Sequence, residues 1–277
     1  MVDQEGGRVA RLRPPHWASH PAAGHIGALY ERRAEAGERA AWLHGAAIGA
    51  ECRASGFDMV AAPVLDLAVP DQDRVIGDRS FGADPAAVVT LGLAMADGLR
   101  AGGVIPVAKH APGHGRARVD SHLGLPRVAA HGPGWFADIA PFRQTARQIR
   151  CMMTAHILYE GLDDTRPATL SPIVVQSVIR EAIGFDGLLL SDDLAMNALQ
   201  GAPLARAEAA LAAGCDIALY CPGDAAGNAA ILASLPDDMT LAERLREVRP
   251  RPATPKPAGP DFSGWLAERA ALLETGR

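Results

Sequence analysis

Short apolar runs alternate with longer amphipathic segments along this chain. Residues 59–62, 104–108, 151–155, 188–190 and 217–220 are nearly continuous in apolar side chains and are bounded by Gly, Pro or charged residues, the mark of buried strands. Between them, segments near 38–54, 85–101, 133–149, 172–183, 203–213 and 225–235 carry the helical period. Several open on proline (Pro85, Pro133, Pro172, Pro203), whose missing N–H costs nothing in a first helical turn. Several run into glycine (Gly56, Gly102, Gly184, Gly214), the usual residue just past a helix C-terminus. Strands that alternate with helices predict a parallel sheet, because parallel neighbours need crossover connections. The fold class is therefore α/β. A closed barrel and an open doubly wound sheet both satisfy the pattern, and both place catalytic groups just past the C-terminal ends of the strands.

Length and composition narrow the picture. The chain has 277 residues, near the ~250 typical of a (β/α)8 barrel, and 48 % hydrophobic residues are enough for a large core. A net charge of −5 argues against nucleic acid as partner, and no apolar run approaches the ~20 residues of a membrane span. The start, Met1-Val2-Asp3-Gln4-Glu5, lacks the basic and apolar regions of a secretory leader, so the expected location is the cytoplasm. Cys52, Cys151, Cys215 and Cys221 form no C-x-x-C pair, which suggests neither a zinc site nor a redox motif and fits a reducing compartment. The expected organisation is one catalytic domain over 1–248, then a Pro-rich linker from 249 and a C-terminal helix, to 277, packed on that domain.

Charged groups follow several apolar runs directly. Asp3, Gln4 and Glu5 follow Met1-Val2. Lys109-His110-Ala111-Pro112-Gly113-His114-Gly115 follows 104–108, His156 follows 151–155, and Ser191-Asp192-Asp193 follows 188–190. Polar groups at four strand ends would converge on one mouth of a barrel. In the long loop after 108, Asp120-Ser121-His122 sets a carboxylate two residues from an imidazole. The carboxylate can accept the ring N–H, fix the tautomer and stabilise the imidazolium. Asp192 and Asp193 point to opposite faces if extended, so only one can enter a pocket, and the other is expected to bond backbone groups or cap the next helix.

The strings Val2-Asp3-Gln4-Glu5-Gly6-Gly7-Arg8, Lys109-His110-Ala111-Pro112-Gly113-His114-Gly115, Asp120-Ser121-His122 and Ser191-Asp192-Asp193-Leu194 resemble glycoside hydrolase family 3, most closely its bacterial β-N-acetylhexosaminidases of cell-wall recycling. The likeness runs from residue 2 to about residue 223, in order and in spacing. It implies a TIM-type (β/α)8 barrel and a retaining hydrolase that removes non-reducing terminal N-acetylglucosamine from muropeptide-derived saccharides. It also implies Asp192 as nucleophile and His122 as acid/base paired with Asp120. Asp3, Arg11, Arg79, Lys109 and His110 would hold the sugar hydroxyls, with no metal or organic cofactor. The chemistry suits these residue types. A glycosidic bond breaks when its leaving oxygen is protonated and a carboxylate supports the oxocarbenium-like carbon.

Two departures from the family pattern stand out. The family's first βα unit, expected before Val2, does not precede it here, so the barrel is expected to lack that unit, and Ala111 stands where the family usually carries an aromatic ring. An open barrel would expose strand edges, and a smaller residue at 111 would widen the pocket floor or loosen its packing. Alternative readings are an inactive sugar-binding relative, a β-glucosidase of the same family, or a metallohydrolase using His110, His114, His122 and His156. The last has no H-E-x-x-H signature to support it. Aglycone and oligomeric state are not encoded in any motif.

Overall fold

The computed structural model describes residues 1–69, 75–117, 124–235, 239–248 and 262–275. In chain order the elements are β1 (Gln4–Gly6), β2 (Val9–Ala10), α1 (Ala23–Arg32), α2 (Ala34–Ala54), β3 (Met59–Val60), α3 (Pro85–Ala101), β4 (Ile105–Pro106) and β5 (Ala108–Ala111). There follow β6 (Arg127–Ala129), α4 (Gly132–Thr145), β7 (Cys151–Thr154), β8 (Leu158–Glu160), a π-helical segment Val174–Ala182, and β9 (Leu188–Leu190). Four helices complete the order: α5 (Pro203–Ala213), α6 (Ala225–Ser234), α7 (Met239–Val248) and α8 (Phe262–Glu274). The chain divides into two compact units. The first comprises Met1–Val69, Ile76–Lys109 and Val248–Arg277; the second comprises Pro70–Val75 and His110–Glu247.

In the first unit, Val2 bridges Val60 in parallel, β3 pairs with β4 in parallel, and Val64 bridges Lys109 in parallel. The antiparallel hairpin β1–β2 stands beside this ladder. Gln4 fixes the hairpin's exit: its Oε1 accepts the N–H groups of Arg11 and Leu12 at 2.8 and 3.0 Å, and its Nε2 donates to Leu12 O at 2.9 Å. Helices α2 and α3 approach closely through small residues. A Cβ on Gly45 would sit 2.1 Å from Met95 O, and one on Gly98 would sit 2.0 Å from Trp42 O, so neither position accepts a side chain. Asp84 caps α3 through the Ala86 N–H at 3.1 Å, with Pro85 in the first turn. α8 packs on α2, where Trp265 meets Trp42 edge to face and Arg39 forms a two-pronged pair with Glu268.

In the second unit, β7 and β9 pair in parallel with Cys151, Met152 and Met153 opposite Leu188, Leu189 and Leu190. The Ala155 N–H reaches Ala111 O at 2.7 Å, and Leu190 bridges Ile217 in parallel. β6 and β8 form a second parallel pair. Both units thus bear the α/β alternation that the hydrophobic pattern predicts.

Three expectations need correction. Residues 217–220 form a single bridge rather than a full strand, because local groups take their hydrogen bonds: Leu219 N–H goes to Ser191 Oγ at 2.8 Å, Leu194 N–H to Leu219 O at 2.8 Å, and Cys221 N–H to Asp193 Oδ1 at 3.0 Å. The segment expected as an α-helix over 172–183 is wound as a π-helix, with Ile183 N–H bonded to Val178 O five residues back. Nine residues are too few for apolar spacing to separate the two windings. After α3, Gly102 keeps a right-handed φ of −73°, and Gly103 takes the left-handed turn at φ 95°. The linker over 249–260 lies outside the described residues.

Candidate active site

Residues 3 and 5 project from the same side of an extended chain, which puts two carboxylates on one face at β1. Lys109 on β5 answers both. Its Nζ donates to Asp3 Oδ1 at 2.9 Å and to Glu5 Oε1 at 2.6 Å. Arg79 clamps Glu5 from the other side, Nη2 to Oε1 and Nε to Oε2, both at 2.8 Å. Arg11 Nη2 reaches Asp3 Oδ2 at 3.5 Å from the turn that Gln4 fixes. Glu5 is 4 % exposed and Lys109 2 %, whereas the Arg11 side chain is 66 % exposed. The cluster therefore has a buried ionic floor, Glu5–Lys109–Arg79, and a wetter rim, Asp3 and Arg11.

Burial alone would raise the Glu5 pKa, but the charges of Lys109 and Arg79 outweigh it and hold the carboxyl below its usual range. Burial would likewise lower the Lys109 pKa, and Glu5 and Asp3 reverse it, so the ammonium titrates higher than an ordinary lysine. Both groups stay charged at neutral pH. Fixed charges beneath a half-buried carboxylate suit recognition of sugar hydroxyls, since charge-assisted hydrogen bonds are stronger than neutral ones.

The second unit gathers another set. Asp192 and Asp193 follow β9. Asp193 is tied to backbone, its Oδ1 accepting the N–H groups of Ala195 and Cys221 at 3.0 Å each, while Asp192 Oδ1 accepts the Asp193 N–H at 2.8 Å. His156, just past β7, is fully buried. Its Nε2 lies 2.9 Å from the Asp193 carbonyl, so the ring proton sits there, and Nδ1 accepts from the Thr169 hydroxyl at 2.7 Å. Thr154 bonds Thr169 at 2.7 Å, which continues the relay. Burial lowers the His156 pKa, and the nearby Asp192 charge only partly restores it, so the ring is neutral. His110 is buried too, edge to face with His114 at 5.6 Å between ring centroids. Tyr159 donates its hydroxyl to Gly113 O at 2.7 Å and packs on Trp135, bracing the Lys109-to-Gly115 string.

Of the residues singled out from sequence, Asp3, Arg11, Arg79 and Lys109 come together in the first unit. Asp192 and His110 lie in the second unit, both near enough to His156 to act on it electrostatically. Asp120 and His122 lie outside the described residues. Glu5, at the centre of the ionic floor, was not among the assigned residues, although its two-residue spacing from Asp3 signals a shared face. Arg79 pairs inward with Glu5, and its neighbour Asp78 pairs with Arg8 at 3.3 Å. Ala111 is fully buried. Among the described residues, no group of three or more His, Cys, Asp or Glu is placed to hold a metal ion.

Comparison with known proteins shows the family. The model for the glycosyl hydrolase family 3 N-terminal domain matches residues 1–245. A beta-hexosaminidase of Alkalilimnicola ehrlichii is 41 % identical over 256 residues, which is 91 % of this chain and 72 % of that protein. A beta-hexosaminidase of Aromatoleum aromaticum is 40 % identical over 224 residues, covering 79 % of this chain and 62 % of that one. Among solved structures, NagZ from Neisseria gonorrhoeae in complex with N-trifluoroacetyl-D-glucosamine superposes with a TM-score of 0.83 at 34 % identity, over 100 % of this chain and 81 % of that one. With a family model that spans most of its length and relatives near 40 % identity, the chain belongs to glycoside hydrolase family 3.

Proposed function

We propose that this chain is a retaining β-N-acetylhexosaminidase that removes non-reducing terminal N-acetylglucosamine from muropeptide-derived saccharides. Family membership and the beta-hexosaminidase relatives make it a glycoside hydrolase of the β-N-acetylhexosaminidase type. The observation that carries the finer reading is the buried Glu5–Lys109–Arg79 floor under Asp3, in a chain similar to a protein solved with an N-acylated glucosamine derivative.

In this reading Asp3, Arg11, Arg79, Lys109 and His110 bind the glycone. The Asp192 carboxylate attacks the anomeric carbon while His122, oriented by Asp120, gives its proton to the leaving oxygen. The bond to the aglycone breaks and a glycosyl ester on Asp192 forms. Water then attacks the same carbon, His122 takes its proton back, and the sugar leaves with Asp192 regenerated. No metal or organic cofactor enters these steps. The α/β units are read as parts of a TIM-type (β/α) barrel, with the catalytic domain over 1–248 and the C-terminal helix as its appendage. A cytoplasmic location is supported by Cys52 and Cys215, which are buried as thiols rather than paired in disulfides. Among the described residues, no helix is long and apolar enough to cross a membrane.

The test is turnover of an aryl N-acetyl-β-glucosaminide beside the matching aryl β-glucoside, with circular dichroism as folding control. Hydrolysis of the N-acetyl substrate alone is expected. Hydrolysis of the glucoside alone would make the chain a β-glucosidase, and a folded chain that binds N-acetylglucosamine without turnover would make it a sugar-binding relative.

A further inference from the structure

Arg269 stands on the C-terminal helix α8, yet it is 5 % exposed. One guanidinium nitrogen, Nη1, lies 2.9 Å from His20 Nδ1 and 3.1 Å from His44 Nδ1. That nitrogen carries two hydrogens and no free lone pair, so both imidazole nitrogens act as acceptors. Each ring therefore bears its proton on Nε2. From there His20 bonds Glu51 Oε2 at 3.0 Å, and His44 donates to the backbone carbonyl of Glu5 at 2.8 Å. The other oxygen of Glu51 accepts the Ala18 N–H at 2.7 Å. All four side chains are buried. The residue at the end of this relay, Glu5, is the one whose carboxylate joins Lys109 to Arg79.

We propose that Arg269 is a positioning residue for the glycone cluster: it locks His44 as the Nε2–H tautomer and so keeps a donor on the Glu5 carbonyl, which holds β1, with Asp3 and Glu5, in place against Lys109. The proposal rests on the reading of Asp3 and Lys109 as sugar ligands. Without the guanidinium, the Nδ1–H tautomer of His44 becomes accessible. That tautomer aims the Nε2 lone pair at a carbonyl lone pair across 2.8 Å, which is repulsive. β1 has little room to absorb the change, since even a Cβ on Gly6 would come 2.9 Å from His44 Cε1 and 2.2 Å from Pro21 O. Burial, with the Arg269 charge acting in the same direction, holds the His44 pKa well below its usual value, so the ring stays neutral. Arg269 is not needed simply to fasten α8, because Trp265 on Trp42 and Glu268 on Arg39 also join α8 to α2.

The experiment uses the full chain with Arg269→Met, His44→Gln and the double variant, each checked for folding. A glutamine at 44 can present an amide N–H where Nε2 stands and has no tautomers to control. Arg269→Met is expected to raise KM for the aryl N-acetyl-β-glucosaminide at least fivefold with kcat within about twofold, whereas in the His44→Gln background it should leave KM unchanged. Long-range 15N–1H imidazole spectra should show His44 as Nε2–H in the parent chain and not wholly so in Arg269→Met. If Arg269→Met does not fold, Arg269→Lys, whose ammonium still donates to His44 Nδ1, should keep both the Nε2–H tautomer and KM, and a raised KM with the tautomer kept would overturn the proposal. An Nδ1–H or cationic His44 in the parent, an unchanged KM in the single variant, or an equal rise of KM in both backgrounds would overturn the proposal. A parent chain without turnover overturns the glycosidase reading instead, and the imidazole spectra still decide the tautomer lock.

Discussion

The two polar clusters are built on opposite electrostatic plans. In the first unit, buried charges compensate one another: the Glu5 carboxylate is shared between Lys109 and Arg79, and the carboxyl and the ammonium are each held in their charged form. In the second unit, the buried base His156 is neutral, oriented by a threonine hydroxyl on one side and a backbone carbonyl on the other, while half-buried Asp192 takes a hydrogen bond from a backbone N–H. The difference matches what the proposed mechanism asks of each group. A charge that only recognises hydroxyls works best when it never changes. A carboxylate that becomes a neutral ester, the role proposed for Asp192, must give up its charge during turnover.

The sharpest break of this comparison is at Asp192. Asp192→Ala is expected to lower kcat roughly 10³-fold or more, because it removes the group that forms the covalent intermediate in the proposed mechanism, and to leave the circular dichroism spectrum unchanged. A fully active variant would end the nucleophile assignment. His122→Ala should hurt the natural saccharide far more than an activated aryl glycoside, whose leaving group needs little protonation. Equal losses on both would count against His122 as the acid.

Glu5→Gln tests the other plan. The substitution leaves Lys109 and Arg79 facing a neutral amide in a buried site. Breaking a buried pair in this way costs about 3–5 kcal/mol. A large drop in unfolding free energy together with a raised KM is expected from denaturant titration and steady-state kinetics. A stability loss under about 1 kcal/mol would mean that the floor is solvated like a surface pair.

How much of this was readable from residue order depends on the range of the interaction. Asp3, Lys109 and Asp192 stand at the ends of apolar runs, so pattern and strand-end chemistry mark them together. Glu5 carried a usable signal, its two-residue spacing from Asp3, but its partners Lys109 and Arg79 lie 104 and 74 residues further on, and nothing local announces them. Arg79 shows the same limit: the Gly77–Arg79 turn sends it and its neighbour Asp78 to different partners, Glu5 and Arg8, and nothing local announces either. His20, His44 and Arg269 were out of reach, since they look like ordinary helix or loop residues and meet across 225 and 249 positions. The π-helical turn and the single bridge at Ile217 were hidden because winding and hydrogen-bond choice are settled by neighbours, not by hydrophobic period.

A milder probe is pH. Burial lowers the pKa of His20, His44 and His156 below the usual value near 6.5. Above about 6.5 the folded and unfolded chains hold the same number of protons on these rings, and no penalty arises. As pH falls below that value the unfolded chain binds protons that the folded chain refuses, so unfolding becomes easier until the depressed folded-state values are passed. Thermal midpoints should decline from pH 7 to pH 5. Those of the Glu5→Gln variant should decline in parallel, since Glu5 itself titrates lower still. A midpoint that rises on acidification over this range would contradict the neutral assignment of all three rings.

The smallest expected effect sits one residue from Arg269. Glu268 meets Arg39 at 2.7 Å in a well-formed pair, but both side chains are 46 % exposed. Exposed pairs contribute about 0–1 kcal/mol, because water screens the attraction and two long side chains must be ordered to make it. Glu268→Gln should therefore shift the thermal midpoint slightly, more at low salt than at high, and should leave KM and the His44 tautomer untouched. Neighbouring residues on one helix then separate two kinds of contact: 268 fastens the helix surface, while 269 reaches through it to the strand that carries the proposed sugar ligands. If Glu268→Gln raised KM as much as Arg269→Met, the docking of α8 as a whole would govern the cluster, and the imidazole relay would be no more than part of that docking.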